Sequence, residues 1–217
     1  MGRAAYASHV PDDVATAAAS PRARERWPAD RRRAQLLESA ATVFARHGYQ
    51  GTSVGDVAAA AGVTRTLIYK YFRDTDELYL SCLRSARAEL EEAFATAALA
   101  QEAPRDQLRA GVTAYFEFVR TSRHRWDLLY GAGAAVAGPL AAEAAALRYA
   151  TADRIALLVA AAAPATDAEV ASAAAHVISG ACEQLAKWWH EHPSLTTETL
   201  VDHFMTVVWG GLEAIVG

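Results

Sequence analysis

Residues 52–78 read TSVGDVAAAAGVTRTLIYKYFRDTDEL, two short helical patterns separated by a glycine turn. Ser53 followed by Asp56 has capping-box spacing: the hydroxyl accepts an orphan amide of the first turn, and the carboxylate reaches back to the cap. Val54, Val57, Ala58 and Ala61 recur at helical spacing and give the first helix one apolar face. Gly62 stands where a helix ends in a left-handed residue, a conformation glycine adopts without steric cost. Val63 can then drop into a core while Thr64 caps a second helix, whose inner face is Ile68 and Phe72. The outer face of that helix carries Arg65, Thr66, Tyr69 and Lys70, all hydrogen-bond donors.

A helix, a tight turn and a second helix with donors outward is the layout in which the second helix enters the DNA major groove. The plainer reading is a pair of core helices with a solvated face. The joint occurrence of Ala61-Gly62-Val63-Thr64 at the turn and Tyr69-Lys70-Tyr71-Phe72 at the helix end argues against it. Together with Ala58, Ile68 and Glu77-Leu78, these residues resemble the DNA-binding signature of the tetracycline-repressor (TetR) family of one-component regulators. The resemblance is close over residues 31–83; beyond them, the all-helical character and the length agree. It departs from the family pattern at Thr66, where glycine is frequent, and at Thr75, where a lysine usually follows the aromatic pair.

Charge distribution supports a nucleic-acid partner for the front of the chain. The 217 residues carry a formal net charge of −4. Residues 22–75 contain ten Arg or Lys against five Asp or Glu, whereas residues 76–217 contain ten against eighteen. A basic front on an acidic body is the asymmetry expected when one small domain meets phosphates. Hydrophobic residues make up 53% of the chain, enough for a packed core.

Cys82 and Cys182 fit no metal motif and are expected to be reduced and buried. No signal-peptide core is apparent near the start, and the longest apolar run, 155–163, is far too short to span a bilayer. The expectation is a soluble, cytoplasmic protein without a membrane partner.

Residues 1–27 show no periodicity and are expected to form a flexible basic arm, in which Arg22, Arg24 and Arg26 could follow DNA. A first helix is predicted from 28 or 29 to 47, with Leu36, Leu37, Ala40, Val43 and Phe44 as its buried stripe. Arg31, Arg32 and Arg33 crowd its first turn, where the helix dipole disfavours cations, so a phosphate partner is favoured. Asp74 is predicted to cap a fourth helix with Glu77 as its box partner. Pro104 opens a fifth, an aromatic piece follows over 126–130, and three longer helices start near Pro139, Asp167 and Thr197. No strand-like alternation occurs. The fold class is therefore all-α: a three-helix helix-turn-helix domain over 28–75, then a helical bundle over 76–217 for ligand binding and dimerisation.

No catalytic site, metal site or cofactor is expected. His190-Glu191-His192 and His203 come nearest to a metal cluster, but residues two apart do not share a helix face, and Pro193 interrupts. Gly131-Ala132-Gly133 follows no strand and so is no phosphate loop. By resemblance, the chain is a homodimeric, ligand-responsive regulator, most often a repressor, that binds a near-palindromic operator in double-stranded DNA. Arg65, Thr66, Leu67, Tyr69 and Lys70 would read bases or nearby phosphates. Arg31, Arg32, Arg33, Ser53, Thr64 and Tyr71 would position the backbone. The resemblance also implies an apolar effector cavity, for which Phe94, Phe116, Trp126 and Tyr130 are the expected lining. The dimer would form from the last two helices through Val177, Leu185, Phe204, Val208, Gly211 and Leu212, with Gly210-Gly211 allowing close backbone approach. The alternatives are a helical small-molecule binding protein or a helical enzyme, each without specific DNA binding.

Overall fold

The computed structural model describes residues 28–131 and 136–216, with side chains up to Glu213. The arm over 1–27, with Arg22, Arg24 and Arg26, and the residues Ala132 and Gly133 lie outside the described residues. Every described element is a helix: α1 Ala29–His47, α2 Val54–Ala60, α3 Arg65–Tyr71, α4 Thr75–Leu99, α5 Pro104–Thr121, α6 Arg123–Tyr130, α7 Ala141–Ala162, α8 Ala168–Glu191 and α9 Thr197–Val216.

The local signals act as the sequence dictates. Ser53 Oγ accepts the Asp56 amide while the Asp56 carboxylate accepts the Ser53 amide at 2.9 Å, which closes the box at the start of α2. Gly62 has φ 64, the left-handed conformation that turns the chain from α2 into α3. Thr64 Oγ1 accepts the Leu67 amide and caps α3. At α4, Asp74 accepts the Glu77 amide at 2.8 Å. The reciprocal bond differs from the expected box: Glu77 Oε2 accepts the amide of Arg73, one residue before the cap, at 2.7 Å. Pro139 lies before α7, which begins two residues later after the turn at Gly138.

Helix α4 is the spine. Its 25 residues extend about 37 Å and pack against α1 and α6 near one end and against α5 and α7 along the body. Helices α7 and α8 form one layer, and α9 closes the bundle against α5 and α8. One continuous core runs from Leu36, Phe44 and Ile68 through Leu83 and Leu90 to Phe116 and Phe204. The junction between α1, α4 and α6 is polar at its rim: Arg125 pairs with Glu38 of α1 and Glu89 of α4, and His124 Nε2 lies 2.9 Å from Glu38.

A candidate nucleic-acid interface and an apolar cavity

Helix α3 packs on α2, buries Ile68 in the core and turns its opposite face outward. Arg65, Thr66 and Lys70 are exposed, as is Tyr69 at 54%, while Leu67 and Tyr71 are half-buried and Tyr71 packs on the core. An aromatic ring and a primary ammonium held on one protruding helix face can contact base edges and phosphates.

Arg65 does not simply project. Its guanidinium lies back over the first turn of α2, where a Cβ on Gly55 would stand 2.4 Å from Nη2 and 2.9 Å from Cζ. The missing side chain at Gly55 therefore makes room for Arg65. Spacing alone did not single out Gly55, because its role depends on a residue in the next helix.

The arginines of α1 divide. Arg31 is exposed, and Arg32 Nη1 donates to Gln35 Oε1. Arg33 instead holds its guanidinium 5.0 Å from the Phe72 ring centroid and within 3.4 Å of Ser81 Oγ. It thus clamps α1 to the end of α3 and to α4. Ser53 and Thr64 place their hydroxyls on cap amides as described above, with both residues exposed. Asp56 is held below the usual carboxylate range, first by the Ser53 hydroxyl and then by its amide.

A cavity of about 140 Å³ opens among α4, α5, α7, α8 and α9. Phe94 and Tyr130 line it; Phe116 and Trp126 do not. Phe116 is fully buried edge-on to Tyr115 and Trp189, and Trp126 stands behind Tyr115, donating its indole N–H to the phenol oxygen at 2.7 Å. Both rings were expected on the wall from their helix and aromatic character, but α5 and α6 turn them into the packed core. Gln107, Tyr115, Thr151, Ser179 and Cys182 are polar wall residues that sequence reasoning passed over. They come from α5, α7 and α8, so no local spacing connects them. Among the described residues, no Lys, Arg, His, Asp or Glu side chain lines the cavity. Burial raises the Tyr130 phenol to about 12 and pushes the Tyr115 phenol and the Cys182 thiol up as well.

On α8 and α9, Phe204, Val208 and Leu212 are buried inside the protomer and Leu185 is half-buried. Their apolar surface is already covered by this chain's own helices. Of the six residues expected at an interface, Val177 and Gly211 face outward. Other exposed apolar side chains of the two helices are Val170 at 39%, Trp188 at 37% and Val207 at 80%. Trp188 lies 6.5 Å from the His203 ring, so the outward stripes of the two helices form one surface. Among the described residues, no group of three or more His, Cys, Asp or Glu is placed to hold a metal ion. His190 instead meets the Trp126 ring edge-on at 5.2 Å.

Residues 36–82 match the family profile described as bacterial regulatory proteins, tetR family. Residues 104–211 match a profile described as tetracyclin repressor-like, C-terminal domain. The chain is 25% identical to the HTH-type transcriptional activator FasR of Mycolicibacterium smegmatis over 88% of its length and 87% of that protein. Among solved structures, it is similar to a TetR-like transcriptional regulator from Rhodococcus sp. RHA1, with TM-score 0.72, 26% identity and coverage of 87% of this chain and 99% of that one. It shares its fold with AibR, described in complex with isovaleryl coenzyme A and operator DNA, at TM-score 0.65 and 21% identity over 82% of this chain and 97% of that one.

Proposed function

The chain belongs to the tetR family of bacterial regulatory proteins, and on that premise we propose that it works as a homodimer on a near-palindromic operator and leaves DNA when a largely apolar small molecule fills the body. Its relatives are transcriptional regulators rather than enzymes. The observation that carries the reading is α3: a short helix capped by Thr64, anchored by Ile68, with Tyr69 and Lys70 exposed on its outer face. In this reading, Arg65, Thr66, Leu67, Tyr69 and Lys70 approach the bases. Arg31, Arg32, Ser53, Thr64 and Tyr71 hold the backbone, while Arg33 acts by fixing α1 against α3 and α4. We take the sign to be repression, although FasR is named an activator.

Two copies are needed because a single short recognition helix makes few contacts, and a two-fold pair separated by about one DNA turn multiplies them. We assign the pairing surface to the outward stripe of α8 and α9, around Val177, Trp188, Val207 and Gly211. Leaving Trp188 and Val207 in water would be costly for a monomer and favourable to bury in a dimer. The site of action is the cytoplasm, where the DNA is; no described helix is long and apolar enough to cross a membrane.

AibR is described holding a coenzyme A thioester. Here the described residues of the cavity wall offer no cation to a phosphate-bearing head, which favours an apolar body for whatever enters. A gel shift on the DNA upstream of the protein's own coding region tests the reading, with random duplex as competitor. Retention that a hundredfold excess of random duplex removes would reject it in favour of a small-molecule binding protein without an operator.

A further inference from the structure

The cavity has two unlike ends. Leu99, 61% exposed, and the exposed Ala161 mark the side open to solvent. Along α7, the wall runs from Ala162 back to Thr151, about 16 Å at the rise of an α-helix. Besides Gln107, Ser179 and Cys182, the polar lining residues are Tyr115, Tyr130 and Thr151, which gather toward the inner end.

Three hydroxyls line that end. The Tyr115 phenol, on a residue 7% exposed, accepts the Trp126 indole N–H, and accepting leaves its own proton to give. Tyr130, from α6, adds a second phenol whose ring tilts against Trp126 at 5.6 Å. Thr151, on a residue only 3% exposed, has an Oγ1 atom with no aligned hydrogen-bond partner among the described residues. Burial raises both Glu91 and Tyr130, and the Thr151 hydroxyl beside them works against that rise, so its neighbours are a carboxylate and a phenol that it reaches without a fully aligned hydrogen bond. A buried hydroxyl without a well-made hydrogen bond is destabilising, and an oxygen delivered into the cavity would offset that.

We propose that this inner end is an anchor for one neutral oxygen, a carbonyl or hydroxyl, carried on an otherwise apolar ligand and held by the Tyr115 and Tyr130 phenols and the Thr151 hydroxyl. The inference rests on the cavity being a ligand site. The surroundings choose neutral over anionic. Donors converge there without a cation among the lining residues, so a carboxylate would lose its hydration and gain no opposite charge. The nearest charges are acidic: Glu91 acts on Tyr130, and Glu183 acts on both phenols. The arginine nearest Glu91 is Arg87, whose Nε stands 3.4 Å from the Glu91 carboxylate, so that cation is engaged outside the wall.

The test uses the full chain loaded with N-phenyl-1-naphthylamine, an uncharged apolar dye, and follows its displacement by 2-decanone, decanoate and decane at near-neutral pH. Decanone should displace the dye at about tenfold lower concentration than either of the others, the effect of one well-made hydrogen bond. Thr151→Val should raise the decanone midpoint, taken relative to that of decane in the same variant, about threefold or more; Thr151→Ser should restore it. A cooperative thermal unfolding transition reports that each variant folds. Decanoate binding as well as decanone, or a decanone midpoint unmoved in Thr151→Val, overturns the anchor while leaving the ligand cavity standing. If neither dye, decane nor decanone binds wild type, the cavity reading falls and the anchor with it.

Discussion

Arg148 Nη2 donates a hydrogen bond to the Tyr79 phenol at 3.0 Å, tying the middle of α7 to the second turn of α4. The Tyr79 ring is itself held at 5.0 Å by Phe44 of α1 and at 5.1 Å by Tyr49, whose phenol donates to Asp76. Thr151 of the cavity wall lies one helical turn from Arg148. A displacement of α7 by an occupant is therefore felt where α4 meets the helix-turn-helix, provided that the occupant binds the two arrangements unequally. A double-mutant cycle with Tyr79→Phe and Arg148→Met in urea should return a coupling of about 0.5–1.5 kcal/mol. Strict additivity would dissolve the link.

Gly55→Ala isolates the placement of Arg65. Its Cβ meets the far end of a flexible side chain, so the helix tolerates it and gains about 0.5–1 kcal/mol of intrinsic propensity. The guanidinium must move. Thermal unfolding at or above the wild-type temperature, combined with operator affinity reduced about threefold or more, is the expected pair of results; unchanged affinity would mean that Arg65 does not act from this position.

The basic residues should separate by role in operator titrations. Lys70→Ala should weaken specific binding by about 1–3 kcal/mol if the ammonium reads a base. Arg32→Ala should weaken all duplexes alike and flatten the salt dependence by about one unit of slope. Arg33→Ala should appear first in stability, by about 0.5–1 kcal/mol, because its guanidinium is engaged with Phe72.

Val207→Glu tests the assembly. The side chain is 80% exposed and touches no core, so the protomer should keep its fold. At a two-fold contact the substitution sets like charges against each other. Sedimentation should show a monomer with weak operator binding; a dimer of wild-type strength would move the interface elsewhere.

His190 supplies a pH dependence. Burial holds its pKa below the ordinary value, and its Nε2 has no partner. The folded chain therefore disfavours the imidazolium, and the unfolded chain binds the proton first. The stability associated with neutral His190 is complete above the unfolded pKa of about 6.5 and is lost as pH falls through the lower folded pKa. His190→Gln should lessen the loss of stability between neutral and mildly acidic pH, measured by urea unfolding. A slope identical to wild type would remove His190 from the account.

The sequence by itself determined the helices and the helix-turn-helix. Ser53, Gly62, Thr64 and Asp74 act within four residues of themselves, on the nearest amides or on one backbone angle, so linear spacing suffices to identify them. Ile68 and Phe72 follow in the same way from helical periodicity. What the tertiary structure decided is which apolar face meets which neighbour. Phe204, Val208 and Leu212 share an apolar stripe with periodic meaning, yet only the packing of α9 on α5 and α8 turns that stripe inward and leaves Val207 in water. Phe116 and Trp126 are aromatic residues on the right helices, and crossing geometry puts them behind Tyr115 rather than on the cavity wall. Tyr115, Tyr130 and Thr151 meet at one end of a cavity from three helices, and Gly55 owes its role to the Arg65 side chain of the following helix. Such contacts depend on where whole helices settle against one another, and side-chain packing fixes that only once the core has formed.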